Sequence, residues 1–475
     1  MAFKTLHSSR WLAAGLVAVA ATAPRTVRAA GLTEHVAVPG EAVEGAEVRS
    51  EGGRWRPVAW GDLASSTFDA GRYEVRVPVT GAPGASAVQV PVCAGRWRIA
   101  LDGKEVAARD ARPVAVPIAS GPHELRLAVT VSRYERRIAC GDAVRAGSAT
   151  TTVEGLGVLT FQSPHASRGG GRAVVYVPPG HDLHRPAPLL VGLHPWNGSI
   201  WTYAAYAELL DEARRRDVVL LMPSGLGNSL YAADAEDEVL RAIDAACEVV
   251  AVDRAAVSIW GASMGGAGAT TIGLHHPDRF ASVTSFFGDS KYDLSTYVRA
   301  ILPDEAAAHR VNALDVVDNA RNVPVWLVHG EDDLVSPIRQ SEILASALAD
   351  RGFHVRFDRV AGTGHAGALV AAFAARVVDV AAEARAPQVV GRVTYRSVRP
   401  VDVGSYGVRI ARAGAHVDAF VDVERTADGV HVRSHSGVAS ITLARGALGT
   451  EPGRPPPIIA DDGSPLSAAW EQLAP

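Results

Sequence analysis

The chain is expected to fold as an α/β protein with a mostly parallel sheet, flanked by an N-terminal β-sandwich and a small C-terminal β-rich region. Three observations lead there. Between about residues 155 and 385, short continuous apolar runs alternate with helical stretches, the pattern of strands covered on both faces by crossover helices. From Val36 to Arg145, and again from Gln388 onward, apolar and polar residues alternate in short runs broken by Gly and Pro, the period of half-buried strands. The 475 residues, 48% hydrophobic and 21% charged, suffice for roughly three domains of about 150 residues each. This composition excludes wholesale disorder and a multispan membrane protein.

Taken in order, residues 1–29 read as a secretory signal. Lys4 and Arg10 precede an apolar run from Trp11 to Ala23, and small residues near Ala29 mark an expected cleavage point. The run is too short for a permanent membrane anchor. Residues 30–150 form the expected sandwich, with strands at Tyr73–Val79, Val88–Val92, Trp97–Leu101, Val114–Ile118 and Glu124–Val131, and a hairpin turn at Asp102-Gly103. Among the three cysteines, Cys93 and Cys140 are candidates to pair in an oxidising compartment, and Cys247 falls in an apolar helical pattern that suits a buried thiol.

Residues 155–385 carry the α/β pattern. Strands are expected at Leu189–Leu193, Val218–Met222, Val257–Trp260, Val283–Phe287, Val325–Val328 and Val355–Val360. Helices are expected at Tyr203–Arg215, Glu236–Val250, after Ser263, at Ser336–Asp350 and at Ala366–Glu383. Asp289 to Asn322 is too long for an ordinary connection and is expected to contribute a small lid. In residues 388–475, strands are expected at Val393–Arg396, Val408–Ala411, Val417–Val423, Val430–Ser434 and Ala439–Leu443.

Lys+Arg 47 against Asp+Glu 51 leaves a net charge of −4, without the basic surplus of a nucleic-acid binder, so neither nucleic acid nor membrane is an expected partner. The residues that carry chemistry lie in the middle region. Gly261-Ala262-Ser263-Met264-Gly265 is a G-x-S-x-G between a strand and a helix, where a sharp turn would lift a serine oxygen above the sheet edge. A serine hydroxyl needs a histidine to take its proton and a carboxylate to hold that histidine. Asp333, in the loop after Val325–Val328, and His365, in Gly362-Thr363-Gly364-His365, supply them in the order Ser, Asp, His. Asp332 is the rival carboxylate, and His329 is expected to shape its loop. An oxyanion would be met by the N–H of Met264 and by one from His194-Pro195-Trp196-Asn197-Gly198; Pro195 has none, which leaves Trp196. Trp196 and Asn197 are also candidate substrate contacts, as are Tyr292 and Tyr297 of the long excursion. No metal-ligand spacing and no dinucleotide or phosphate-binding loop is found, so no cofactor or metal is expected.

With these residues in place, the middle region resembles an α/β-hydrolase. The run Val257 to Gly266, followed by His276-Pro277-Asp278-Arg279-Phe280, is similar to secreted esterases of the feruloyl esterase and polyhydroxybutyrate depolymerase type, and to the catalytic domain of prolyl-oligopeptidase-family hydrolases. His194-Pro195 stands where many such relatives have His-Gly. The resemblance implies metal-free acyl transfer through a covalent seryl intermediate. The expected substrate is a carboxylic ester, with polysaccharide-linked and polymeric esters among the candidates; a serine peptidase and a non-catalytic binding module on a hydrolase scaffold are the alternatives. The N-terminal region also resembles jelly-roll modules that bind sugars, although Trp55, Trp60, Tyr73 and Trp97 suit core packing better.

Overall fold

The computed structural model describes residues 30–471 apart from 85, 95–96, 107–112, 134–135, 142, 167–169, 293–297, 299–300 and 464–465. The signal reading of residues 1–29 and the pocket reading of Tyr297 fall outside the described residues. The centre is a nine-stranded sheet whose strands in chain order are β1 (Gly31–Thr33), β2 (Gly155–Gln162), β3 (Gly170–Val177), β4 (Ala187–Leu193), β5 (Val219–Pro223), β6 (Val252–Ala262), β7 (Ser282–Phe286), β8 (Val325–Gly330) and β9 (Val355–Val360). They lie in the order β1-β2-β3-β5-β4-β6-β7-β8-β9. The run from β5 to β9 is parallel, and β1, β2 and β3 add an antiparallel edge. The α/β-hydrolase expectation of the fold is met. The sequence reading did not foresee the β2–β3 hairpin, whose glycines weaken the strand signal, or the reach of β1 into this sheet.

Five helices cover the sheet: α1 (Ala207–Arg216), α2 (Asp234–Val249), α3 (Met264–His275), α4 (Arg339–Asp350) and α5 (Gly367–Glu383). Successive strand residues point to opposite faces. Leu189, Val191 and Leu193 of β4 therefore belong to the same buried cluster as Val239 of α2, Ile272 of α3 and Leu344 of α4. Leu190 faces the other way, with Leu209 of α1 and Val377 of α5. Burial on both faces is why β4, β5 and β8 read as apolar runs, whereas the edge strand β9 alternates.

The N-terminal region is a sandwich of a six-stranded and a three-stranded sheet. Gly71–Gly81 pairs with Gly121–Val131 along its whole length, and Val75, Val77, Ile99 and Leu125 meet Val88, Val90 and Val116 of the facing sheet. Asp102 and Gly103 both have positive φ, 49° and 77°, as a tight hairpin turn requires. Cys93 and Cys140 form a disulfide. Trp97 is buried in the sandwich core, whereas Trp55 is half-buried, with the guanidinium groups of Arg49 and Arg76 4.4 and 4.5 Å from its ring.

The C-terminal region has two four-stranded sheets. Its edge strand Arg392–Ser397 docks on the excursion that was expected to be a lid. Asn319 Nδ2 donates to the Arg396 carbonyl at 3.1 Å, Asn322 Nδ2 to the Arg392 carbonyl at 2.9 Å, and Thr394 Oγ1 to the Asp318 carbonyl at 2.6 Å. The turns of Ala313–Asn322 thus satisfy an otherwise open sheet edge, and this part of the excursion is a platform, not a cover. A buried ion-pair network closes the same junction: Arg399 contacts both Glu236 oxygens at 2.6 and 2.8 Å and Asp402 at 2.8 Å, while His275 Nδ1 lies 3.0 Å from Asp402.

Candidate active site

Ser263 alone makes the turn between β6 and α3, at φ 57° and ψ −121°, a conformation that L residues seldom adopt. Its neighbours must be small. A Cβ at Gly261 would overlap the Gly265 carbonyl, and a Cβ at Gly265 would overlap the Leu193 carbonyl at the end of β4. The turn is held from below by the Ser263 N–H, which donates to the Phe286 carbonyl at 2.9 Å. Ser263 stays half-buried at the carboxyl edge of the sheet, where ligands of open α/β folds bind.

Two further loops at that edge bring the other residues to it. Ser263 Oγ donates to His365 Nε2 at 2.9 Å, and His365 Nδ1 donates to Asp333 Oδ2 at 2.7 Å. These side chains, separated by up to 102 positions, form one continuous line. Asp333 is buried, and its second oxygen accepts the N–H groups of Val335 at 2.8 Å and Ser336 at 2.9 Å. Burial opposes ionisation of this carboxyl, but hydrogen bonds from His329, His365 and the backbone prevail and hold it well below the ordinary carboxylate range. Asp332 is exposed. His329 lies fully buried with Nδ1 2.8 Å from Ser341 Oγ and Nε2 2.8 Å from the Ser336 carbonyl, which shapes the acid loop as expected. The Phe287 ring lies 4.5 Å from the His365 ring and walls one side.

Met264 is the first residue of α3, so its N–H has no acceptor within the helix and sits at the positive end of the dipole. Trp196 and Asn197 follow β4 in an exposed loop, Trp196 at 38% exposure and Asn197 at φ 60°. Asn197 is engaged by Asn228, whose Oδ1 takes its backbone N–H at 2.7 Å. Tyr292 requires a correction: it is 1% exposed within the main core, its N–H tied to Asn312 Oδ1 at 2.8 Å, so it fills the interior and lines no opening. The sequence reading missed Tyr203, whose hydroxyl donates to the Leu193 carbonyl at 2.8 Å and accepts from the Ala262 N–H at 2.9 Å, bridging the ends of β4 and β6. It also missed Asn228 and Tyr231. No spacing rule marks these residues, because they act on loops distant in sequence.

A parallel sheet with a strained serine at the end of a central strand, and with a histidine and an acid from later loops meeting it, is the arrangement of the α/β-hydrolase class. Residues 172–375 match the Esterase family model, described as "Putative esterase", and the protein is a hydrolase. No curated protein matches the chain. Among solved structures, the chain is similar to an S-formylglutathione hydrolase from Agrobacterium tumefaciens, with 21% identity over 48% of this chain and 95% of that one and a TM-score of 0.44. It is also similar to a ferulic acid esterase, with 20% identity over 47% of this chain and 98% of that one and a TM-score of 0.40. A thermostable esterase shares 15% identity over 76% of this chain and 100% of that one, with a TM-score of 0.42.

Proposed function

We propose that the protein is an exported serine hydrolase that cleaves carboxylic esters through a Ser263, His365, Asp333 triad. The observation that carries this reading is the unbroken hydrogen-bond line from Ser263 Oγ through His365 to Asp333 Oδ2. His365 Nε2 takes the serine proton as Oγ attacks the ester carbonyl. Asp333 fixes the tautomer and stabilises the imidazolium that forms. The N–H groups of Met264 and Trp196 receive the oxyanion, the alcohol leaves with the proton from His365, and water then releases the acid by the same steps in reverse. No metal or cofactor is required by this sequence of steps.

Export rests on the signal-like residues 1–29 and is supported by the Cys93–Cys140 disulfide, which fits an oxidising compartment. The organisation proposed with it is a β-sandwich at 30–150, the catalytic region at 155–385 and a β-rich region at 388–475. The substrate class includes polymer-linked esters; a matched panel of ester and amide substrates separates an esterase from a peptidase. The direct test is Ser263→Ala. It is expected to abolish labelling by a fluorophosphonate and to lower ester turnover by roughly 10⁴-fold or more with the fold intact. Equal turnover in both proteins would overturn the assignment.

A further inference from the structure

We propose that the loop 224–231 is the support that aims the oxyanion-binding segment 194–197, and that Asn228 is its positioning residue. The proposal rests on the serine-esterase reading above. Segment 194–197 contains Pro195, which has no N–H, so the Trp196 N–H has to be aimed by restraints on either side of it. On one side His194 is 2% exposed; its carbonyl accepts the Tyr231 hydroxyl at 3.2 Å, and its Nε2 lies 2.9 Å from the Ser224 carbonyl. On the other side Asn197, in the left-handed region, is held twice by Asn228: its N–H donates to Asn228 Oδ1 at 2.7 Å, and its Oδ1 accepts from Asn228 Nδ2 at 2.8 Å. Both restraints come from one loop.

That loop is built for a single shape. Leu226, Leu230 and Tyr231 have φ of 56°, 57° and 54°, unusual for residues with side chains, beside Gly225 and Gly227 with φ of 49° and 78°. Tyr231 is fully buried and keyed between Gly225 and Gly268 of α3, since a Cβ on either glycine would overlap its ring. Burial pushes its phenol well above the ordinary tyrosine range, which keeps the hydroxyl a donor. One rigid piece therefore holds residues on both sides of the proposed oxyanion site: Gly268 of α3, the helix that Met264 begins, and His194 and Asn197, which flank Pro195-Trp196. Asn228 is exposed and its hydrogen bonds hold Asn197, so it acts through geometry, not by touching the reacting atoms.

The test compares full-length wild type, Asn228→Ala, Asn228→Asp, the Asn197→Ala/Asn228→Ala double variant and Ser263→Ala on a 4-nitrophenyl ester. Asn228→Ala is expected to lower kcat by about 10- to 100-fold with KM within about threefold, because a misaimed donor weakens the transition state more than the ground state. Inhibition by phenylboronic acid, whose tetrahedral adduct on Ser263 puts an oxygen in the same place, should weaken by a similar factor. Asn228→Asp keeps an acceptor for the Asn197 N–H and should restore most of kcat; the double variant should be no slower than Asn228→Ala. A kcat unchanged in Asn228→Ala, a rise in KM alone, or a loss as large in Asn228→Asp overturns the proposal while the esterase reading stands. Wild type and Ser263→Ala equally inactive would instead remove the esterase reading on which it rests.

Discussion

Replacing Glu236 with Gln tests the junction between the central sheet and the C-terminal region. Glu236 on α2 is 5% exposed. Burial by itself would raise its carboxyl, but hydrogen bonds from His276 at 2.6 Å and from Arg399 bring it down from 4.5 to about 2. A group whose folded value is depressed contributes stability that is complete above its unfolded value and disappears as pH falls through the folded one. The drop from 4.5 to about 2 corresponds to about 3 kcal/mol at neutral pH, at ~1.4 kcal/mol per pH unit. Breaking a buried ion pair from one side costs about 3–5 kcal/mol, a range that agrees. Glu236→Gln leaves Arg399, itself 6% exposed, with Asp402 as its remaining carboxylate. Urea unfolding of both proteins between pH 7 and pH 2 reads the effect. The variant should be less stable by about 3 kcal/mol at pH 7, the gap should narrow below pH 4.5, and it should close near pH 2. A variant as stable as wild type at pH 7, or a gap constant across the whole range, would refute the reasoning.

Asp333→Asn should keep the fold and still lower kcat by about 10³- to 10⁴-fold. The N–H groups of Val335 and Ser336 would hold the amide oxygen where Oδ1 now accepts them, which turns the NH₂ toward His365 Nδ1 and forces the ring proton onto the nitrogen that must accept from Ser263. Activity within tenfold of wild type would show that the acid does not set the tautomer. Converting Cys93 and Cys140 to Ser opens a crosslink spanning 47 positions, and the chain-entropy relation then gives a loss of about 4 kcal/mol. Denaturant midpoints of variant and wild type check it, and equal midpoints would contradict it.

Local pattern was enough to specify the parallel strands β4 to β9 of the central sheet and the helices between them, but not its antiparallel edge, because burial on both faces writes an apolar run and each crossover helix writes its own period. Gly261, Ser263 and Gly265 were legible for the same reason: the turn excludes side chains through contacts with its own backbone and with the end of β4. Asp333 and His365 could be chosen because each follows a recognisable strand, so its side of the sheet followed from chain direction. What residues such as Tyr203, Asn228 and Tyr231 do depends on which loops the sheet order brings together, and no short-range rule encodes that order. Tyr292 and the excursion 289–322 show the converse. An apolar or polar side chain announces that it needs a partner, but whether that partner is a substrate, the core or the edge of another sheet is decided only when distant segments pack, since burial is a property of the assembled fold.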